Sequence, residues 1–226
     1  MIRFFNTTLS KFLGSARYLI PSVYQGDDWI PQHTSVMVDD LSDGFYSNFE
    51  IGHETRDVEG YSSFCLGSIS TSTSQDGHLV LKGHELLLSL VLLLIEVYTR
   101  AGDRTGLQNL LYFNRFGERS INPEFELYHD VLEYLIAGTY IDPKTLSGAT
   151  RNLMAQYQEI KICLKDNLDP DHLPFFAVWL LHEGYLEITA ADSEAGAVIL
   201  RKALAYDNLS AEKHLLVSLH KKLGRY

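Results

Sequence analysis

Between Glu85 and Glu96 stands LLLSLVLLLI, Leu86 to Ile95, with Ser89 as its one polar interruption. A segment apolar on every side of a helix has to be surrounded, by lipid or by the rest of the chain. Crossing a bilayer takes about twenty such residues, roughly double this length. The run therefore predicts a helix over 83–101 enclosed by the rest of the chain, and no transmembrane segment is expected. Gly102 marks its C-terminal stop.

Beyond this helix the pattern stays helical. Asp103 reads as the N-cap of a helix reaching Phe116. Asn122-Pro123 opens a third, with proline at the first helical position and Phe125, Tyr128, Val131, Leu132, Leu135 and Ile136 as its apolar face. Asp142-Pro143 repeats that start before the stripe Leu146, Thr150, Leu153, Tyr157, Ile160 and Leu164, which Gly148 threatens to break early. Further helices are expected at 173–190, 192–205 and 208–223, the last two capped by Asp192 and Asn208. No fixed repeat period recurs. The fold class expected is mainly α: an irregular α-helical bundle or array of about seven to eight helices, with short loops joining antiparallel neighbours.

Before residue 83 the chain reads differently. Ile2, Phe5, Leu9, Phe12, Ala16 and Leu19 alternate in threes and fours, which predicts an amphipathic N-terminal helix over 1–20. Thr34–Val38, Phe45–Ile51, Tyr61–Leu66 and His78–Leu81 read as short strands, and the Ser/Thr tract 68–77 as a surface loop or linker. The expected organisation is thus 1–82, irregular and partly β, packed on a helical 83–226, the whole forming one compact unit. Cys65 and Cys163 match no zinc or redox spacing and read as reduced, mostly buried thiols.

Charge is the feature that bears on function. Residues 27–60 hold nine acids (Asp27, Asp28, Asp39, Asp40, Asp43, Glu50, Glu54, Asp57, Glu59) against Arg56, a net −8 of the chain's −10. Residues 1–26 carry Arg3, Lys11 and Arg17 and no acid. Such a field attracts cationic surfaces and repels phosphate backbones, so no nucleic acid is expected as a partner. Tyr24, Trp29, Phe45, Tyr46, Phe49 and Tyr61 are interleaved with or flank the acids, and rings beside carboxylates suit a basic protein surface.

Motifs for chemistry are incomplete. Glu126 and His129 share a helix face at the spacing used by di-iron carboxylate bundles, with Glu133 one turn on. The one further Glu-x-x-His, Glu50 to His53, lies in a segment that does not read as helical, so no metal or cofactor is expected. His53-Glu54-Thr55-Arg56-Asp57 is dense in titratable groups but reads as a hydrated turn. His182-Glu183 opens like a zinc-protease helix, yet Leu186 stands where the second histidine belongs. Glu183 and Glu187 would then share a helix face as like charges. Nucleophile elbows and phosphate-binding glycine loops are absent from the sequence.

The reading that follows is a cytoplasmic, non-enzymatic protein-binding module. Its concrete form is an inhibitor, immunity or antitoxin-like protein that masks a basic partner such as a nuclease-type toxin. Asp39, Asp40, Asp43, Glu50, Glu54 and Asp57 would supply the charge, with Trp29 and Tyr46 as anchors. The alternatives are a metal-dependent enzyme built on Glu126, His129 and Glu133, or a bacterial effector whose residues 1–20 form a delivery helix presenting Arg3, Lys11 and Arg17 to anionic lipid.

Overall fold

The computed structural model describes residues 1–15, 18–19, 31–49, 60–74, 77–113, 135 and 148–204. In chain order the elements are β1 (Ile2–Thr8), α1 (Leu9–Ser15), β2 (Tyr18–Leu19), α2 (Pro31–Tyr46), β3 (Phe64–Ser74), β4 (Gly77–Lys82), α3 (His84–Ala101) and α4 (Arg104–Phe113). There follow α5 (Gly148–Asn167), a 3-10 turn (Pro170–His172), α6 (Leu173–His182) and β5 (Gly184–Ala191). A final helical segment, α7, spans 194–204. The molecule is mainly helical with one mixed sheet of order β1-β5-β3-β4-β2. Strands from residues 2–82 and from 184–191 share that sheet.

The leucine-rich run forms the enclosed helix its composition demands. Every residue from Leu87 to Val97 is buried, and α4, α5 and α6 pack around it. Gly102 ends the helix in the left-handed region at φ 65°. Its N–H donates to Thr99 O (3.2 Å) and that of Asp103 to Tyr98 O (2.9 Å), the double bond pattern of a Schellman stop. Asp103 then caps α4, its Oδ1 accepting from the Gly106 N–H at 2.9 Å. No helix among the described residues is long and apolar enough to cross a membrane.

The N-terminal helix is replaced by a strand and a short helix. Ile2, Phe4, Phe5, Thr7 and Thr8 are β-prone residues, and β1 pairs antiparallel with β5 along its length, from Ile2–Ala191 to Thr8–Tyr185. The apolar spacing is real only from Leu9 onward, where Leu9, Phe12 and Leu13 are buried in α1. Residues 2–8 are thus built into the sheet and present no amphipathic helix to a lipid surface.

The strand expected at Thr34–Val38 lies within α2, which also takes in Phe45 and Tyr46 of the strand expected at Phe45–Ile51; 47–49 follow it without strand structure, and 50–51 lie outside the described residues. Pro31 supplies the first helical position, and Thr34, Val38, Leu41 and Phe45 repeat at three and four to make one buried stripe. Of the Ser/Thr tract expected as a surface loop, residues 68–74 run through the middle of the sheet in β3. Ser70, Thr71 and Ser72 are buried, because small and β-branched side chains fit a strand paired on both edges and covered on both faces.

The single helix expected over 173–190 divides at Gly184. Gly184 opens β5 pressed against the Leu180 carbonyl, at a place where any side chain would collide with it. Leu186, Ile188 and Ala190 then alternate into the main core, the period of a strand. α7 is capped by Ser193 Oγ, accepting from Gly196 N–H at 3.2 Å, while the expected cap Asp192 pairs with Arg3. α7 covers the sheet's second face through Ala197 and Leu200 against Leu81 and Ala191. The helices expected from Asn122 and Asn208 lie outside the described residues.

Candidate binding surface

Helical geometry decides where the acids of α2 go. With Val38, Leu41 and Phe45 turned inward, the 3.6-residue period places Asp39, Asp40 and Asp43 together on the opposite side. All three are exposed. α2 lies along α5, and Asn167 Nδ2 donates to Asp39 Oδ1 across the seam at 2.6 Å. That neutral amide orients the carboxylate without cancelling its charge.

α5 adds to the same field. Leu153, Tyr157, Ile160 and Leu164 are its buried stripe. Glu159, Cys163 and Asp166 follow one another at four and three along the flank facing α2. Lys161 and Lys165 fall on the opposite flank, with Lys161 Nζ 5.6 Å from the centre of the Tyr157 ring. The Cys163 thiol registers the convergence. Its pKa is raised, first by burial and then by the negative charges of Glu159, Asp39 and Asp166. Carboxylates from two helices therefore act on one point.

Past the end of α2, Asp169 and Asp171 extend the acidic face on the exposed 3-10 turn. Tyr46 ties that turn to α2. Its hydroxyl accepts from the Asp169 N–H at 3.0 Å and lies 3.2 Å from His172 Nδ1. Phe49 stacks on His172, with ring centres 4.3 Å apart, and meets Phe175 at 5.8 Å. Tyr46 thus works first as an internal pin for an aromatic cluster, with its ring still partly open to solvent beside Asp43.

Among the described residues the ion pairs are Arg3–Asp192, His84–Glu85 and Glu96–Arg100, and none takes in Asp39, Asp40 or Asp43. Of the site expected from sequence, those three and Tyr46 lie together. Trp29, Glu50, Glu54 and Asp57 lie outside the described residues, as do the metal candidates Glu126, His129 and Glu133. No group of three metal-ligating side chains occurs among the described residues.

Glu159, Asp166, Asp169 and Asp171 were missed in sequence because they stand far from the acidic segment. The repeat Glu159, Cys163, Asp166 beside an apolar stripe was the available clue.

Other carboxylates are engaged within the fold. Glu96 accepts from Tyr157 Oη and Arg100 Nε, each at 2.7 Å, and Arg100 also donates from Nη2 to the Lys161 carbonyl. Burial first, then the Glu96 carboxylate, pushes the Tyr157 hydroxyl pKa well up. Glu183 and Glu187 do not share a helix. Glu183 caps off α6 and accepts from Ser63 Oγ at 3.2 Å, while Glu187 lies on β5 and accepts from Ser68 Oγ at 3.0 Å. Cys65, expected to be mostly buried, is exposed on β3, and Cys163 is half-buried; both are free thiols.

No family model matches this chain, and comparison with curated proteins finds no relative.

Proposed function

We propose that this protein is a non-enzymatic binding module whose acidic face, formed by α2, α5 and the following turn, docks a basic protein partner. The observation that carries this reading is the group Asp39, Asp40 and Asp43: exposed, on one side of α2, and in no ion pair with a described cation. A cluster of like charge left uncancelled raises local counter-charge and speeds encounter with a cationic surface. In its concrete form the module is an inhibitor of immunity or antitoxin type. Its carboxylates occupy the surface with which a nucleic-acid-processing partner meets phosphate. Two free thiols suit a reducing, cytoplasmic setting.

The test is charge reversal. The full chain carrying Asp39→Lys, Asp40→Lys and Asp43→Lys is compared with wild type in affinity capture from native lysate, followed by association kinetics with the captured partner across a salt series. The expected result is loss of a basic partner and, at low salt, an association rate lower by about tenfold or more. Capture of the same proteins at the same rate by both forms would remove this face from the function.

A further inference from the structure

Among the described residues the outer edge of β1 has no partner strand, and its sequence points to an occupant. β1 is the last strand of the sheet, and its seven residues pair with β5 on one side only. Along the other edge no strand lies beside it among the described residues, so alternate N–H and C=O groups point outward. Proteins usually blunt such an edge with lysine, proline, a bulge or a cover. The strand IRFFNTT has no lysine or proline, and its register with β5 runs without a shift. Its one charge, Arg3, is turned back onto Asp192, with Nε–Oδ2 at 2.7 Å and Nη2–Oδ1 at 2.8 Å. Phe4 is 78% exposed and Phe5 46%, on opposite faces of the strand.

We infer that this edge docks a second copy of the chain through antiparallel β1–β1 pairing about a twofold axis at Phe5. A sheet edge accepts an extended backbone in register. Phe5 is the midpoint of Ile2–Thr8, so the axis pairs all seven residues. Phe5 meets the second copy's Phe5, Phe4 meets Asn6, Arg3 meets Thr7 and Ile2 meets Thr8. No like charges oppose one another, which would destabilise the pair.

Charge also favours a copy at this place. The chain carries −10, yet the one charge of β1, Arg3, is matched by Asp192, so two copies meet along this strand without opposing like charges. The Arg3–Asp192 pair is satisfied within each copy and has no need to open. The product is an isologous dimer with one continuous sheet. A single strand pair buries less than the roughly 1,600 Å² of a standard interface, so the dimer forms reversibly with concentration. The acidic face of α2 plays no part in it.

Sedimentation velocity of the full chain, up to about 1 mM, where even a feeble interface is half-formed, reads the prediction directly. Wild type shows a reversible monomer–dimer equilibrium. Phe5→Asp sets two carboxylates face to face and removes the ring pair, weakening the dimer at least about tenfold. Circular dichroism checks that the variant is folded. If it is not, Phe4→Asp replaces it, at a position too exposed to carry the fold. In a Cys65→Ser, Cys163→Ser background, Phe5→Cys oxidises to a covalent dimer, because directly paired strand residues stand within disulfide reach. A monomer at every concentration overturns the proposal. So does a dimer that both aspartate variants leave intact, or a Phe5→Cys chain that fails to cross-link.

Discussion

Two sets of carboxylates in this molecule have opposite fates. Glu96 sits in the middle of the leucine-rich helix, 3% exposed, held by Arg100 one turn away and by Tyr157 from α5. Asp39, Asp40 and Asp43 sit on the outside of α2, where one neutral amide is the contact among described residues that reaches them. A charge taken out of water has to be matched within the protein or the fold fails. A charge left in water has no such requirement and stays available to another molecule. The first set belongs to stability, and on the proposed function the second belongs to recognition. Substitutions at each should separate the two along that line.

The largest effect is expected at Glu96. Glu96→Ala leaves Arg100 and the Tyr157 hydroxyl without their partner in the core. Removing one member of a buried pair costs about 3–5 kcal/mol, with the lower end expected because 25% of the Arg100 side chain still reaches solvent. Chemical denaturation of wild type and variant measures it. A loss comparable to that of a surface substitution would mean that the buried charge is dispensable and the contrast false.

A smaller, pH-dependent effect is expected at the start of the same helix. His84 Nε2 lies 2.8 Å from Glu85 Oε1. Burial pushes the Glu85 carboxyl up, but the hydrogen bond and charge of His84, with a backbone N–H, pull it further down, so its pKa is lowered from 4.5. A carboxyl depressed in the folded state adds stability that is complete above its unfolded pKa and is lost as pH falls through its folded pKa. Glu85→Gln should therefore lower stability at neutral pH, where the depressed carboxyl makes its contribution, and flatten the acid limb so that the two stability–pH curves converge below about pH 4.5. An unaltered acid limb would show that the pair does not couple to folding.

The smallest effect on stability is expected at Asp39. Asp39→Asn should change unfolding free energy by no more than about 0.5 kcal/mol, as at other exposed sites. It should still lower the Cys163 thiol pKa and speed alkylation of Cys163 at fixed pH, because Asp39 is one of the charges holding that thiol up. Site-resolved alkylation by mass spectrometry reads this directly, with Cys65 as internal control. An unchanged Cys163 rate would mean that α2 and α5 do not share a field, and the proposed face would shrink to α2 alone.

These sites were not equally legible in the sequence. The exposed aspartates could be counted, and their place on one side of α2 follows from the period of Val38, Leu41 and Phe45 once the segment is read as a helix. Local propensity points the other way, because Thr34–Val38 and Phe45–Ile51 are β-prone. The contribution of α5 was hidden, since Asp39 and Asp166 stand far apart in the chain and meet only through packing. Tyr46 was legible as a ring beside acids but not as the pin that holds the turn at Asp169.

Features that depend on neighbours within one or two turns can be read along the chain. The enclosed helix α3, its Gly102 stop and the Asp103 cap follow from residues that touch one another along the chain, and the total charge follows from counting. Features that depend on a distant partner emerge with the packing. β1 is a strand because β5 lies beside it, from Ile2–Ala191 to Thr8–Tyr185. A Ser/Thr tract is buried because strands flank it on both edges. Glu96 is matched because Tyr157 and Arg100 reach it, whereas Asp39 is exposed and meets no cation among the described residues. Pairing and burial are properties of the space around a residue, and local composition carries little record of that space.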